Sequence, residues 1–263
     1  MTLDFRSIDR QPERYASVAR ELVNARCDVI FALGGVDAAR AMRKATSSVP
    51  VVIIATLYDP VERGIVVNLS RPERNITGVY MPTTALVAKR FEFAPQVLPE
   101  VRKYLVLADV HSKDQLSAVR EAAERRGMQL TIADYSRPPY DLAASFDAGK
   151  LAGVEAVFIL TSSGFAAQRR QLAELISRHR WPAFVPVFMS EDPGILLSYS
   201  VDLAKLTRRA ANIGARILQG AKPAEIPVEQ FDDYDLIVNL KTAKALGLKI
   251  PYSILITARR IIE

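Results

Sequence analysis

The run VPVVIIAT, Val49 to Thr56, carries no polar residue before its last position. A strand without alternation buries both faces, the condition of a parallel sheet covered by helices on each side. Its surroundings repeat that condition. DVIFAL precedes it and leads into a helical stripe over AARAMRKAT. Further upstream, LDFRSI reads as a short strand and PERYASVARELVNA as an amphipathic helix. After it, DPVERGIVVNL reads as a helix, with Asp59 as N-cap, Pro60 at the first helical position and Glu62 completing the cap. NITGVY is then a further strand.

The alternation starts again downstream. KYLVLAD, MQLTIAD and VEAVFIL read as strands, separated by helices over KDQLSAVREAAERR and YDLAASFDAG. A helix over FAAQRRQLAELISRH, the strands PAFVPVF and ILLSYS, and a long helix from Leu203 to Gln219 follow. DLIVNL, the short helix KTAKAL and an apolar tail complete the chain. Regular βα alternation implies parallel sheets flanked by helices. Two such runs in 263 residues fit two lobes of roughly 130 residues each better than one sheet.

Composition excludes more than it selects. A formal charge of +6 spread over 35 basic and 29 acidic residues, with no basic run or interleaved aromatics, gives no nucleic-acid signature. One cysteine, Cys27, and two histidines, His111 and His179, leave no intrachain disulfide and no Cys/His metal site, so neither metal nor cofactor is expected. No apolar stretch reaches the roughly 20 residues of a membrane helix. The opening MTLDFRSIDR is polar and does not read as a secretory leader, which taken alone predicts a cytoplasmic chain.

Ligands of open parallel sheets sit beyond the carboxyl ends of the strands, so the residues there are the candidate site. Four places stand out: Gly34-Gly35, Tyr58-Asp59, Thr161-Ser162-Ser163 and Ser198-Tyr199. The glycine pair lacks the spacing of a dinucleotide fingerprint, and no phosphate loop occurs elsewhere. It reads either as a turn or as a mouth whose backbone N–H groups hold a carboxylate. Asp59 reads as a cap or as a partner for a ligand amine. The three hydroxyls suit a carboxylate or hydroxyl, or cap the next helix. Tyr199 either stacks on a ligand or packs. No nucleophile elbow accompanies His111 or His179, so no catalytic set emerges.

At DLIVNLKTAKALGLKIP, together with NITGVY, LLSYSVD and ARILQGAKPAEIPVEQ, the chain resembles one family throughout, from Leu3 to Glu263. It is the family of periplasmic substrate-binding components of ABC transport systems, whose better-known members bind tryptophan, tyrosine or related amino acids. The resemblance implies a type I periplasmic binding fold of two Rossmann-like lobes joined by three crossovers. Lobe 1 is expected over 1–84 and 201–224, lobe 2 over 85–200 and 225–263. It also implies capture of a small ligand between the lobes, delivery to a membrane permease, a periplasmic location and no chemistry on the ligand.

Three departures accompany it. By the resemblance the chain is expected to begin at the family's second strand, without leader, first strand or first helix, which leaves lobe 1 open beside DVIFAL unless another chain fills the gap. Leu57 and Tyr58 stand where the family carries small residues, and are expected to narrow the pocket floor. Pro186, Phe188 and Met189 replace charged side chains, so the expected ligand has an apolar or aromatic part. Two other readings use the same architecture: a cytosolic effector-binding sensor, and a racemase-like enzyme, against which the single cysteine argues.

Overall fold

The structure is a computed structural model that describes residues 2–8, 11–72, 74–137, 139–186 and 189–263. The chain divides into two compact units. Unit 1 comprises Met1–Pro82 and Leu203–Asp232; unit 2 comprises Thr83–Asp202 and Asp233–Glu263. Both are α/β, with a sheet between helices, the architecture of a type I periplasmic binding fold.

In unit 1, β1 (Ile30–Gly34), β2 (Val51–Ala55), β3 (Ile76–Tyr80) and β9 (Glu229–Gln230) form a parallel sheet in that order. Every residue of β2 and β3 is buried: β2 is apolar throughout, and in β3 the buried Thr77 hydroxyl is hydrogen-bonded. Helices α1 (Tyr15–Asn24), α2 (Val36–Ala45) and α8 (Leu203–Leu218) belong to this unit. Gly78 in β3 is obligatory: its φ is +148°, and a Cβ would lie 2.1 Å from the Ile53 carbonyl oxygen. Residues 225–232 belong to unit 1 rather than unit 2, because β9 pairs with β3 and Thr77 Oγ1 donates to the Ile226 carbonyl at 2.8 Å.

The outer edge of β1 pairs with no strand among the described residues. Ile30 donates to the Pro50 carbonyl of the neighbouring strand at 2.9 Å. Strand alternation therefore turns the N–H and C=O groups of Phe31 and Leu33 outward. Their side chains are 41% and 61% exposed, while Ile30 and Ala32 are buried. The segment LDFRSI, expected as a strand, forms no ladder, and Leu3 and Phe5 are exposed. Its alternation is strand-like, but a strand exists only against a neighbour.

In unit 2 a seven-stranded sheet runs in the order β11-β10-β8-β7-β6-β4-β5. The strands are β4 (Lys103–Asp109), β5 (Gln129–Tyr135), β6 (Ala156–Ile159), β7 (Ala183–Val185), β8 (Ile195–Val201), β10 (Tyr234–Asn239) and β11 (Arg260–Ile262). It is parallel from β5 to β8; β10 then pairs antiparallel to β8, and β11 parallel to β10. Around it lie α3 (Thr83–Val97), α4 (Lys113–Glu124), α5 (Leu142–Leu151), α6 (Ser163–Ala167), α7 (Arg169–His179), α9 (Leu240–Leu246) and α10 (Tyr252–Thr257).

Two helical expectations change. After Asp59 the chain makes a single turn rather than a helix. Gly64, with φ +64°, and the β-branched run Ile65–Val67 stop what the capping residues begin. The helix expected from Phe165 to His179 breaks at Gln168 into α6 and α7. Phe188 and Val187 lie outside the described residues.

Candidate functional site

The carboxyl end of the unit 2 sheet concentrates the polar and aromatic chemistry. Asp109, the last residue of β4, is fully buried. Its Oδ1 accepts from the His111 backbone N–H at 3.0 Å and from Ser112 Oγ at 3.2 Å. Its Oδ2 accepts from Tyr140 Oη at 2.7 Å and from Ser162 Oγ. Hydrogen bonds of this number compensate a carboxylate withdrawn from water. Ser162 also caps α6, accepting from Gly164 N–H at 3.0 Å. Gly164 cannot carry a side chain, since a Cβ would meet Tyr140 Oη at 2.3 Å.

Beside this network stands an aromatic wall. Tyr135, the last residue of β5, stacks on Tyr140 with ring centroids 4.6 Å apart and 16° between planes. Phe165 meets Tyr140 edge-on, with ring centroids 5.3 Å apart and 62° between planes. Burial raises the pKa of Tyr140, and its bond to Asp109 raises it further. Tyr135 is half-buried, so it is the member of the wall with a face toward solvent.

The exit of β6 supplies the hydroxyls. Thr161 is half-buried and Ser163 exposed, whereas the Ser162 hydroxyl is enclosed by Asp109 and the helix cap. In unit 1, Gly34 ends β1 with φ +134°, and Gly35 is the extended N-cap of α2. Asp59 Oδ1 accepts from the N–H groups of Val61 and Glu62 at 2.7 and 3.0 Å, the capping role.

Three candidates take up packing positions. Tyr58 is 5% exposed and packs in the unit 1 core, where burial raises its pKa. Ser198 and Tyr199 lie inside β8, not after it. Ser198 is 1% exposed and its Oγ has no hydrogen-bond partner among the described residues, and Tyr199 packs between Phe93 and Tyr234 at 5.2 and 5.7 Å. Met189 likewise points into the unit 2 core. Asp109, Tyr135 and Tyr140 are the residues that sequence reasoning missed. Asp109 ends the predicted strand KYLVLAD and Tyr135 directly follows the predicted strand MQLTIAD, so position along the strand was the available signal.

A depression of about 380 Å³ lies elsewhere in unit 2, lined by Ala143, Asp147, Lys150, His179 and Trp181 among others. Val154 and Trp181 of its lining precede β6 and β7, which places it at the amino ends of the strands, opposite the ligand end of a parallel sheet.

A two-unit α/β molecule with polar and aromatic residues gathered at strand carboxyl ends defines a solute-binding architecture. The model of the ABC transporter substrate binding protein family matches residues 1–262, and the chain belongs to that family. It is 24% identical over 253 residues to the tyrosine-binding protein of Clostridioides difficile strain R20291, covering 94% of this chain and 71% of that one. Its fold is similar to that of the ABC domain from Streptococcus pneumonia in complex with L-Trp, with TM-score 0.85, 24% identity, and coverage of 100% of this chain and 90% of that one. A solute-binding protein of an ABC transporter from Rhodopseudomonas palustris BisB5, in complex with 3,4-dihydroxy benzoic acid, shares the fold at TM-score 0.59 and 17% identity, with 85% and 64% covered.

Proposed function

We propose that the chain captures a small ligand, an amino acid or an aromatic carboxylate, and delivers it to the permease of an ABC importer from the periplasmic side, without changing it. The observation that carries the reading is the strand-end surface of unit 2. There the Tyr135 ring meets Phe165 of α6 with centroids 6.1 Å apart, and Thr161 and Ser163 bring hydroxyls to the β6 exit where that helix begins, a combination suited to a ligand with one apolar face and one hydrogen-bonding end. Gly34, Gly35 and Asp59 are the unit 1 residues proposed as ligand contacts. The relatives that carry tyrosine, tryptophan or dihydroxybenzoate in their descriptions support the ligand class.

The test is thermal denaturation with L-tryptophan, L-tyrosine, benzoate and D-arabinose as probes. Stabilisation by an aromatic probe, with the probe recovered unaltered by NMR, is the expected result. A ligand at about 100 times its Kd adds about 2.7 kcal/mol to folding stability. Stabilisation by arabinose alone would overturn the ligand class, and turnover or racemisation of a probe would overturn the transport reading.

The open edge of β1 supports one partner besides ligand and permease. Phe31 and Leu33 present outward main-chain groups and exposed side chains with no charge among them. A second copy of the chain is proposed to supply the strand that pairs there.

A further inference from the structure

Three of the four residues from Ile159 to Ser162, at the exit of β6, are held by buried polar side chains from three different elements. Arg90 of α3 donates through Nη2 to the Ile159 carbonyl at 2.7 Å. Gln115 of α4 holds both backbone groups of Thr161: its Oε1 accepts from the Thr161 N–H and its Nε2 donates to the Thr161 carbonyl, each at 2.8 Å. Asp109 of β4 accepts from Ser162 Oγ. The three are 1%, 3% and 0% exposed.

Stability alone does not account for this set. Burying polar groups costs free energy that hydrogen bonds only offset, and apolar side chains of similar volume fill a core at least as well. Arg90 is the clearest case. Among the described residues it forms no ion pair with a carboxylate and its Nε has no hydrogen-bond partner, and its guanidinium lies 4.8 Å from the centre of the Phe158 ring. Burial lowers its pKa. What these groups determine is the path of the backbone from Ile159 to Ser162, from which the Thr161 and Ser163 side chains emerge.

We infer that Arg90 and Gln115 are positioning residues: they fix the β6 exit in a binding conformation before the ligand arrives. The inference rests on the reading that ligand binds at this strand end. Supporting groups of this kind hold a contact surface within the fraction of an ångström that affinity requires.

The experiment uses the full chain and the variants Gln115→Leu, Gln115→Glu and Arg90→Lys. The first readout, amide hydrogen exchange of residues 160–164 without ligand, needs no binding. Gln115→Leu is expected to speed exchange there while distant core strands keep their protection. The second readout is the Kd for L-tryptophan or benzoate, whichever the wild type binds. Gln115→Leu is expected to weaken it by about tenfold or more, the size that outer-shell changes produce in metal sites. Gln115→Glu separates positioning from packing. An ionised Glu accepts from the Thr161 N–H but cannot donate to its carbonyl, whereas the protonated acid can do both. Its affinity should therefore recover as pH falls, and the wild-type affinity should not follow that curve. Arg90→Lys, which keeps a donor and a charge, should retain more affinity than Gln115→Leu. Unchanged exchange together with unchanged Kd in Gln115→Leu would overturn the inference, as would a pH-independent Gln115→Glu. If the wild type binds none of the probes, the functional reading fails instead, and the exchange measurement still decides whether these side chains hold the segment.

Discussion

Ser198 and His179 show how single positions trade chemistry for packing. Ser198 ranks as a ligand contact in the sequence because it is read as lying at a strand's carboxyl end, yet the structure encloses it within β8 with no hydrogen-bond partner for its Oγ among the described residues. Ser198→Ala is expected to raise the unfolding free energy by about 1 kcal/mol, the order of an unmet buried hydrogen bond. Urea denaturation measures it, and ligand affinity should not change. His179 leans against Phe146 and Trp181, with ring centroids 5.3 and 4.8 Å away. That burial lowers its pKa; Lys150 and Arg178 act in the same direction and Asp147 against it. Protonation therefore favours the unfolded chain. Its share of stability is present above the free imidazole pKa of about 6.5 and is lost as pH falls toward the folded value. An NMR titration of the imidazole should give a midpoint below that of a free histidine. His179→Phe should flatten the acid limb of the stability curve.

At the scale of elements, strands were the legible part of the sequence. The unbroken apolar runs of β2 and β6 declare burial on both faces without any tertiary knowledge. Helix α3 was not legible. It buries Thr83, Leu86, Val87, Arg90, Phe91, Phe93, Ala94 and Val97 around much of its circumference and carries Pro95, so no polar face marks its period. The turn after Asp59 misled in the other direction, since capping signals act over one turn and cannot propagate a helix past Gly64. The Asp109–Ser162 bond joins residues far apart in the chain, which is why Ser162 looked available from the sequence. The β1 edge allows a test by one substitution. Leu33→Pro deletes an N–H that faces outward, so the bonds to β2 survive while any added strand loses a donor. Sedimentation is expected to show self-association of the wild type and none of Leu33→Pro, with equal circular dichroism. A wild type that stays monomeric at every concentration would remove the proposed second copy.

The whole chain passes between its two units three times, at residues 82, 202 and 232 as the units are bounded. Each unit therefore depends on a late segment for its sheet: β9 for unit 1, β10 and β11 for unit 2. A protein made from one end to the other completes neither early. When residues 1–202 have left the ribosome, both sheets still lack strands that only the last stretch of chain provides. A stop codon before Glu229 would thus damage two units at once. A shortened product keeps a complete unit only if it ends at Asp232 or later, and that unit is unit 1.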